Sequence, residues 1–284
     1  MARTRQQLLL TALLLSFGMP AHADRPEQFD CLVEPMVVAQ VGSPVQGVIE
    51  SLLVDRSDFV KAGEPIASLE SGVERASLNQ ARMRSQMKSE IQAREADLQL
   101  ARTNMKRMDD LHARKMVPAQ ERDEARAELQ VAQAALKQAQ ENYKLVQHEL
   151  DRAKELLAQR TIRSPVNGVV VEQRAFPGEF VYENPVMTIA QLDPLRVEVI
   201  LPARYFGRFN ADDVALVYPE IGDQRPLIAE VDVIDRMLDN RSGTFGIRLA
   251  LPNPDLAIPG GQKCRLEFAD KRPQEVEDVA AAHH

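Results

Sequence analysis

Two copies of one short motif, 121 residues apart, constrain the fold of this chain more than any other feature. Residues 43–49 read Ser-Pro-Val-Gln-Gly-Val-Ile, and residues 164–170 read Ser-Pro-Val-Asn-Gly-Val-Val. The similarity continues further along each copy, between 58–60 and 179–181 and between 65–69 and 185–189. Each copy is about 30 residues long, which is too short to bury a core by itself. We therefore predict that both copies fold face to face into one small β-sandwich.

The segment between the two copies has the composition of long helices. Residues 73–160 contain no glycine and one proline, Pro118, and are dominated by Ala, Gln, Leu, Glu and Arg. Both flanks are instead rich in Val, Pro and Gly and show alternating apolar residues, which is typical of β-strands. The flanking glycines suit tight turns between short strands: Gly47, Gly63, Gly168 and Gly178.

Apolar residues recur every seven positions in the second half of the helical segment, which indicates a coiled-coil seam. One series is Leu129, Leu136, Tyr143, Leu150 and Leu157, and the other is Ala132, Ala139, Val146 and Ala153. The first half is less regular. Its two series are Ile91, Leu98 and Met105, and Met87, Ala101 and Met108, with Arg94 interrupting the pattern.

Pro118 predicts that the two helical halves form an antiparallel hairpin rather than one rod. A proline inside a helix costs about 3 kcal/mol, whereas the first helical turn tolerates it. Glu121, Asp123 and Glu124 place negative charge where a second helix would begin. We expect the turn near Arg114 to Val117, and arms of about 40 residues that reach roughly 60 Å. A hairpin this thin is suited to reaching a distant partner and not to enclosing a catalytic site.

Residues 1–23 have the features of a cleaved export signal. Arg3 and Arg5 precede an apolar run at 8–17, and small residues, Ala21 and Ala23, stand where a signal peptidase would cleave. The run is about half of the roughly 20 residues that a membrane span needs. We expect a mature periplasmic protein without a lipid anchor. The net charge of −7 becomes −9 when the two arginines are removed, which disfavours nucleic acid as a partner.

Cys31 and Cys264 lie near opposite ends of the mature chain, and an oxidising compartment would allow a disulfide between them. Two buried free thiols are an equally open alternative. His112 and His148 have no cysteine or carboxylate partners at metal-ligand spacing, so we predict no metal site. Carboxylates of the second β-region are predicted to be turn residues: Asp212, Asp213, Asp235 and Asp239. We find no catalytic or cofactor motif, and we predict that the protein is not an enzyme and binds no cofactor.

The two motif copies resemble the halves of a lipoyl or biotinyl carrier domain. A carrier needs a lysine on an exposed turn between the copies, and here an 88-residue helical insert replaces that turn. The whole arrangement instead resembles the periplasmic adaptor subunits, or membrane fusion proteins, of tripartite efflux and type I secretion systems. The residues that carry this resemblance are the split halves around a hairpin, the return segment 161–170, the alternating strand 195–202, and the β-domain motifs 242–245, 251–254 and 259–261.

The resemblance implies a multidomain α+β fold. An antiparallel coiled-coil hairpin is inserted in a lipoyl-like β-sandwich, and a small β-barrel domain follows. The implied division is a signal peptide (1–23), an N-terminal strand joining the barrel (24–40), lipoyl half 1 (41–72), the helical hairpin (73–160), lipoyl half 2 (161–192), the barrel (193–270) and a disordered tail (271–284). The segments at the two ends, 24–40 and 271–284, are too short to build a further membrane-proximal domain. We therefore expect three domains, with the barrel at the membrane side.

The resemblance also implies a function and its partners. Family members bridge an inner-membrane transporter and an outer-membrane channel for export of small molecules or other cargo, and they assemble with themselves, here as an expected hexamer or trimer of dimers. In this family the tip of the hairpin docks on the outer-membrane channel, and it carries an Arg, a Leu four residues later and a Ser seven beyond that. Arg107 and Leu111 match this signature, and Pro118 occupies the serine position. The alternatives are a periplasmic coiled-coil scaffold without a channel and, more remotely, a lipoyl or biotinyl carrier.

Overall fold

The computed structural model describes residues 27–221 and 225–269. The predicted signal peptide and the predicted tail lie outside the described residues. The chain divides into two compact units. The hairpin unit comprises residues 33–197 and 250–262, and the barrel unit comprises the described parts of 1–32, 198–249 and 263–284.

The described residues form a mixed α and β structure. The helices are α1 (Gly72–Gln86), α2 (Ser89–Ala113) and α3 (Ala119–Ala158). A short 3-10 helix spans Ala203–Tyr205. The strands, in chain order, are β1 (Gln28–Gly42), β2 (Gly47–Leu52), β3 (Phe59–Val60), β4 (Pro65–Leu69), β5 (Thr161–Arg163), β6 (Gly168–Gln173), β7 (Phe180–Val181), β8 (Pro185–Pro202), β9 (Val214–Pro219), β10 (Leu227–Ile234), β11 (Thr244–Leu251) and β12 (Gln262–Phe268).

The two motif copies complete each other's sheets in the hairpin unit. β2 of the first copy pairs antiparallel with β7 of the second, which sets Val48 opposite Phe180. β3 of the first copy pairs in the same way with β6 of the second, which sets Phe59 opposite Val169. The two pairings are equivalent under the 121-residue offset of the repeat. Each copy therefore supplies strands that the other needs.

Backbone hydrogen bonds repeat this exchange. The Ile49 N–H donates to the Glu179 carbonyl at 2.9 Å, and at the equivalent place the Val170 N–H donates to the Asp58 carbonyl at 3.0 Å. Both copies also contribute to one hydrophobic core, whose buried members include Ile49, Val60, Ile66 and Leu69 from the first copy and Ile162, Val170, Val181, Val186, Met187 and Ile189 from the second. Neither copy buries this set alone, because the side chains of each half pack on those of the other.

The glycines of the repeat have two different roles. Gly63 and Gly178 lie in turns with φ of +82° and +88°, as predicted for tight turns. Gly47 and Gly168 begin strands instead, so their predicted place in turns was wrong. Close packing explains Gly168, because a Cβ there would lie 2.3 Å from the backbone oxygen of Ala190. A Cβ on Gly47 would approach the end of a side chain, Nη1 of Arg160, at 2.8 Å.

Six strands form a closed barrel in the order β1, β12, β9, β10, β11 and β8, with β1 pairing to β8. Alternate residues of β11 point into its core: Phe245, Ile247 and Leu249 are buried, while their neighbours are partly exposed. β12 pairs antiparallel with β9, which sets Leu266 opposite Val217. The predicted combination of a helical hairpin with a small β-barrel is confirmed.

Candidate functional site: the helical hairpin and its tip

The hairpin begins and ends on two adjacent strands. β4 leads into α1 and pairs antiparallel with β5, which follows α3. At this root the Arg160 guanidinium donates to the Glu74 carboxylate at 2.6 Å, and both side chains are largely buried. Arg160 also donates to the Gln46 carbonyl at 3.0 Å. Because two strands and an ion pair hold its base, the hairpin is anchored to the β-structure by both arms.

Burial along α3 confirms the predicted seam. Every seam residue from Leu129 to Leu157 is buried or half-buried. Of these, Ala139 and Ala153 belong to the buried hydrophobic core. In α2, Leu98 and Met105 are buried and Ile91, Ala101 and Met108 are half-buried. Alanine in the seam of α3 lets the two backbones approach closely. The 40 residues of α3 correspond to a rod of about 60 Å.

The first arm is interrupted, which the sequence pattern did not predict. α1 ends at Gln86 and α2 begins at Ser89. Met87 lies in the interruption with 65% of its surface exposed, so its predicted place in the seam was wrong. The buried positions explain the break. Ser85 and Leu98 are both buried, yet they are 13 residues apart, one fewer than two heptads. If the helix were continuous, one of these two side chains would point about 100° away from the partner arm.

The second arm satisfies the carbonyl that the interruption leaves free. The oxygen of Ser85 accepts hydrogen bonds from the Tyr143 hydroxyl at 3.1 Å and from the Gln147 amide at 3.2 Å. The Lys88 ammonium lies 5.6 Å from the centre of the Tyr143 ring, in cation–π range. These contacts tie the interruption to α3. The signal available in the sequence was the irregular heptad pattern between Met87 and Met108.

A Schellman motif closes the tip of the hairpin. Lys115 has φ of +60°, its N–H donates to the His112 carbonyl at 2.8 Å, and the Met116 N–H donates to the Leu111 carbonyl at 3.0 Å. The His112 ring also bonds to the Val117 carbonyl at 3.1 Å. Pro118, with φ of −67°, then occupies the N-cap position of α3. The turn therefore lies where Pro118 predicted it.

The three residues of the predicted tip signature occupy different parts of this tip. Arg107 and Leu111 are one helical turn apart on α2. Arg107 is exposed beside a surface groove, and it forms no hydrogen bond or ion pair within the described residues. Leu111 is half-buried, and Pro118 is exposed on the other side of the turn. The structure thus places Arg107 and Leu111 on one arm, with Pro118 at the start of the other.

Charge at the beginning of α3 follows the predicted pattern. Glu121 lies in the first turn of the helix, where a negative charge is favourable. The Arg122 guanidinium donates to the Asp123 carboxylate at 2.9 Å, and this hydrogen bond lowers the pKa of Asp123 below its ordinary value.

The other residues singled out in the sequence have structural positions. Cys31 and Cys264 form a disulfide across the neighbouring strands β1 and β12, with their Cα atoms 4.9 Å apart. His148 is exposed on α3. Within residues 27–221 and 225–269, no group of three or more His, Cys, Asp or Glu side chains could hold a metal ion. Asp213 and Asp239 accept hydrogen bonds from the nearby backbone N–H groups of Asn210 and Arg241, as turn residues do.

Residues 37–191, more than half of the chain, match the family model described as the CzcB-like, barrel-sandwich hybrid domain. The chain belongs to this family. The match spans both motif copies and the complete hairpin between them. The resemblance to membrane fusion proteins that the split repeat indicated is thereby confirmed.

Several curated relatives of this CzcB-like chain are named as efflux or resistance proteins. It is 27% identical over 258 residues to the cobalt-zinc-cadmium resistance protein CzcB of Cupriavidus metallidurans, which covers 89% of this chain and 47% of the relative. It is 23% identical over 248 residues to the multidrug efflux pump subunit AcrA of Escherichia coli, which covers 81% of this chain and 59% of AcrA. The chain thus spans about half the length of the curated relatives it matches.

The fold of this chain is also similar to that of a protein whose structure has been solved. MacA from Actinobacillus actinomycetemcomitans superposes with a TM-score of 0.70 at 21% identity, over 86% of this chain and 79% of MacA. This likeness concerns the fold. Among the described helices of the CzcB-like chain, none combines the length and the apolar character needed to span a bilayer.

Proposed function

We propose that this CzcB-like protein is a periplasmic adaptor that bridges an inner-membrane transporter and an outer-membrane channel, for export of small molecules or other cargo. The observation that carries the proposal is the hairpin of about 60 Å, whose two arms leave from adjacent strands of a domain built by both motif copies. That arrangement holds the base of a thin rod and leaves its tip free. It is suited to spanning a distance between two partners.

The names of two relatives support a role in efflux. CzcB is a resistance protein and AcrA is an efflux pump subunit. We extend this role to the present chain together with the division that the resemblance implies, in which 41–72 and 161–192 are lipoyl-like halves and 193–270 form the barrel domain. In this proposal the first 23 residues direct export to the periplasm, and the protein acts through its partners and not as an enzyme.

We also propose that several copies assemble, as a hexamer or a trimer of dimers. Phe59 and Phe180 occupy equivalent positions of the two motif copies, and they are 50% and 65% exposed. Phe59 lies in the eight-stranded sheet and Phe180 in the four-stranded sheet. Two equivalent apolar positions on one domain favour head-to-tail contacts that can close into a ring.

Recovery of partners from both membranes tests the adaptor function. A tagged full-length chain is crosslinked in its native host, and the proteins that co-purify are identified by mass spectrometry. We expect an inner-membrane transporter and an outer-membrane channel. A variant with a short Gly-Ser linker in place of residues 89–143 keeps matching lengths of both arms at the root. It should retain the transporter and lose the channel. Recovery of other copies of the chain alone would instead support a coiled-coil scaffold and overturn the proposal.

A further inference from the structure

We propose that one end of the barrel binds directly to the surface of a phospholipid bilayer, with Phe206 and Met237 entering a layer of zwitterionic headgroups. This end is formed by two loops, 203–213 and 235–243, which we call the barrel rim. Both loops belong to the barrel unit. The proposal goes beyond the adaptor function, because bridging a transporter and a channel requires no contact with lipid.

The two loops of the barrel rim lie side by side. The first loop connects β8 to β9, and the second connects β10 to β11. The Ala203 N–H donates to the Gly243 carbonyl at 2.8 Å, which joins the loops directly. The rings of Phe206 and Phe245 also meet edge to face, with their centres 5.4 Å apart. The side chains that the two loops expose therefore form a single surface.

Large apolar side chains protrude from both loops of the rim. Met237 is 84% exposed, Phe206 is 49% exposed and Leu238 is 38% exposed. Within residues 27–221 and 225–269, Met237 is the most exposed of the large apolar side chains. Apolar and aromatic side chains that project in this way bury their surface at the boundary between headgroups and acyl chains. Insertion would thus remove from water an apolar area that the fold leaves exposed.

Four exposed arginines surround these apolar side chains. The guanidinium carbons of Arg204 and Arg208 lie 4.8 and 5.2 Å from the centre of the Tyr205 ring. The side chains of Arg236 and Arg241 form no ion pair within the described part of the chain. A guanidinium donates well to phosphate oxygens. The long stem of an arginine can also follow an inserted side chain while its charge stays among the headgroups.

The charge balance of the rim indicates which lipid it fits. The two loops carry four arginines and four aspartates, so their formal charges cancel. The aspartates are Asp212, Asp213, Asp235 and Asp239. A surface that offers both signs complements a headgroup that carries a phosphate and an ammonium group. The net charge of −7 on the whole chain opposes adsorption to an anionic layer. We therefore expect a phosphatidylethanolamine surface.

A single introduced tryptophan tests insertion, because the protein contains none of its own. Met237→Trp places the probe on the rim. Met83→Trp is the matched control, since Met83 is a methionine of α1 with 60% exposure. Each purified protein is mixed with vesicles of phosphatidylethanolamine and phosphatidylcholine in equal parts. We expect the emission of Met237→Trp to shift to shorter wavelength and to be quenched by lipids with brominated acyl chains. An equal response from both variants, or none from Met237→Trp, would overturn the inference.

Vesicle flotation measures the strength of the contact without a probe. Met237→Asp should lower the ratio of bound to free protein about tenfold, because a charge replaces the inserted thioether. Met237→Leu should retain most of the binding, and Met83→Asp should change nothing. Circular dichroism should show that all three variants fold, since both methionines are exposed. Equal binding by Met237→Asp and by the unmodified protein would contradict the proposal.

The response to lipid charge separates insertion from electrostatic adsorption. We expect binding to change little when phosphatidylglycerol is added or when the salt concentration is raised, because the rim has no net charge. Binding that requires phosphatidylglycerol and is lost in high salt would instead show attraction of the arginines to anionic lipid, and it would overturn the inference.

Photo-crosslinking in the native host separates a lipid from a protein partner. A benzophenone amino acid at position 237 should yield a phospholipid adduct of the otherwise intact protein. A crosslink to a transporter alone, together with no binding to vesicles, would overturn this inference and leave the adaptor function supported. Vesicle binding by a chain that recovers neither a transporter nor a channel would have the opposite meaning, because the adaptor function would fail and the lipid contact would stand.

Discussion

Shortening the hairpin without disturbing its seam tests whether its length is what matters. Residues 91–104 and 128–141 are the segments to delete together. They face each other in the hairpin, since Asn104 at the end of one lies 3.4 Å from Glu128 at the start of the other. Each deletion removes two heptads, so the seam on either side stays in phase. The tip, the interruption at Met87 and the root remain.

The expected effect follows from the helix geometry. Removing 14 residues from each arm shortens the rod by about 21 Å, roughly one third of the 60 Å length of α3. A docking contact at the tip cannot tolerate a gap of that size, because hydrogen bonds and apolar contacts need surfaces within about 4 Å. On the proposed adaptor function, we therefore expect the shortened protein to lose the channel and export while it still co-purifies with the transporter.

The assay is complementation of a deletion strain, measured as the resistance or export that the intact gene restores. A length-matched control replaces the same two segments with unrelated heptads that keep the seam residues, and it should restore export. Circular dichroism and thermal unfolding show whether the shortened protein folds. A folded, shortened protein that exports as well as the unmodified one would refute the reasoning that the hairpin acts by reach.

Three further predictions concern stability. Replacing Cys31 and Cys264 together by serine should lower the free energy of unfolding by up to about 5 kcal/mol, because their bond closes a loop across a sequence separation of 233; an unchanged urea midpoint would contradict this. Gly168→Ala should cost about 2 kcal/mol or more, because its Cβ would meet the Ala190 backbone oxygen. The equivalent Gly47→Ala should cost less, because the Arg160 side chain can move, and equal shifts in thermal unfolding would argue against this explanation. Tyr143→Phe removes one of the two donors to the Ser85 carbonyl and should cost about 1 kcal/mol; an unchanged melting temperature would show that Gln147 alone satisfies that carbonyl.

Much of the hairpin was predictable because its determinants are local. The seven-residue period of α3 depends on helix geometry, and the turn depends on a proline that cannot continue a helix. Leu129 and Ala139 therefore face the partner arm as predicted. Leu111 and Pro118 lie on either side of the predicted turn for the same reason. The 68% exposure of Met116 was not predicted, because it depends on how the closed turn directs one side chain.

The errors share a non-local cause. Whether Met87 lies in the seam depends on which residues of α1 contact α3. The spacing of apolar residues in the sequence does not specify those contacts. Gly168 looked like a turn residue, but it is glycine because the backbone of Ala190 on a neighbouring strand approaches it closely. In both cases the constraint comes from a segment elsewhere in the chain.

The order of amino acids alone was sufficient for the split repeat, the hairpin between its copies and the coiled-coil seam of α3, since periodicity, turn residues and repetition are all present in the sequence itself. Folding in three dimensions was needed for the disulfide, for the break in the first arm and for the shape of the tip. Cys31 and Cys264 are separated by 233 positions, and their Cα atoms come within 4.9 Å only because β1 and β12 are neighbours in the barrel.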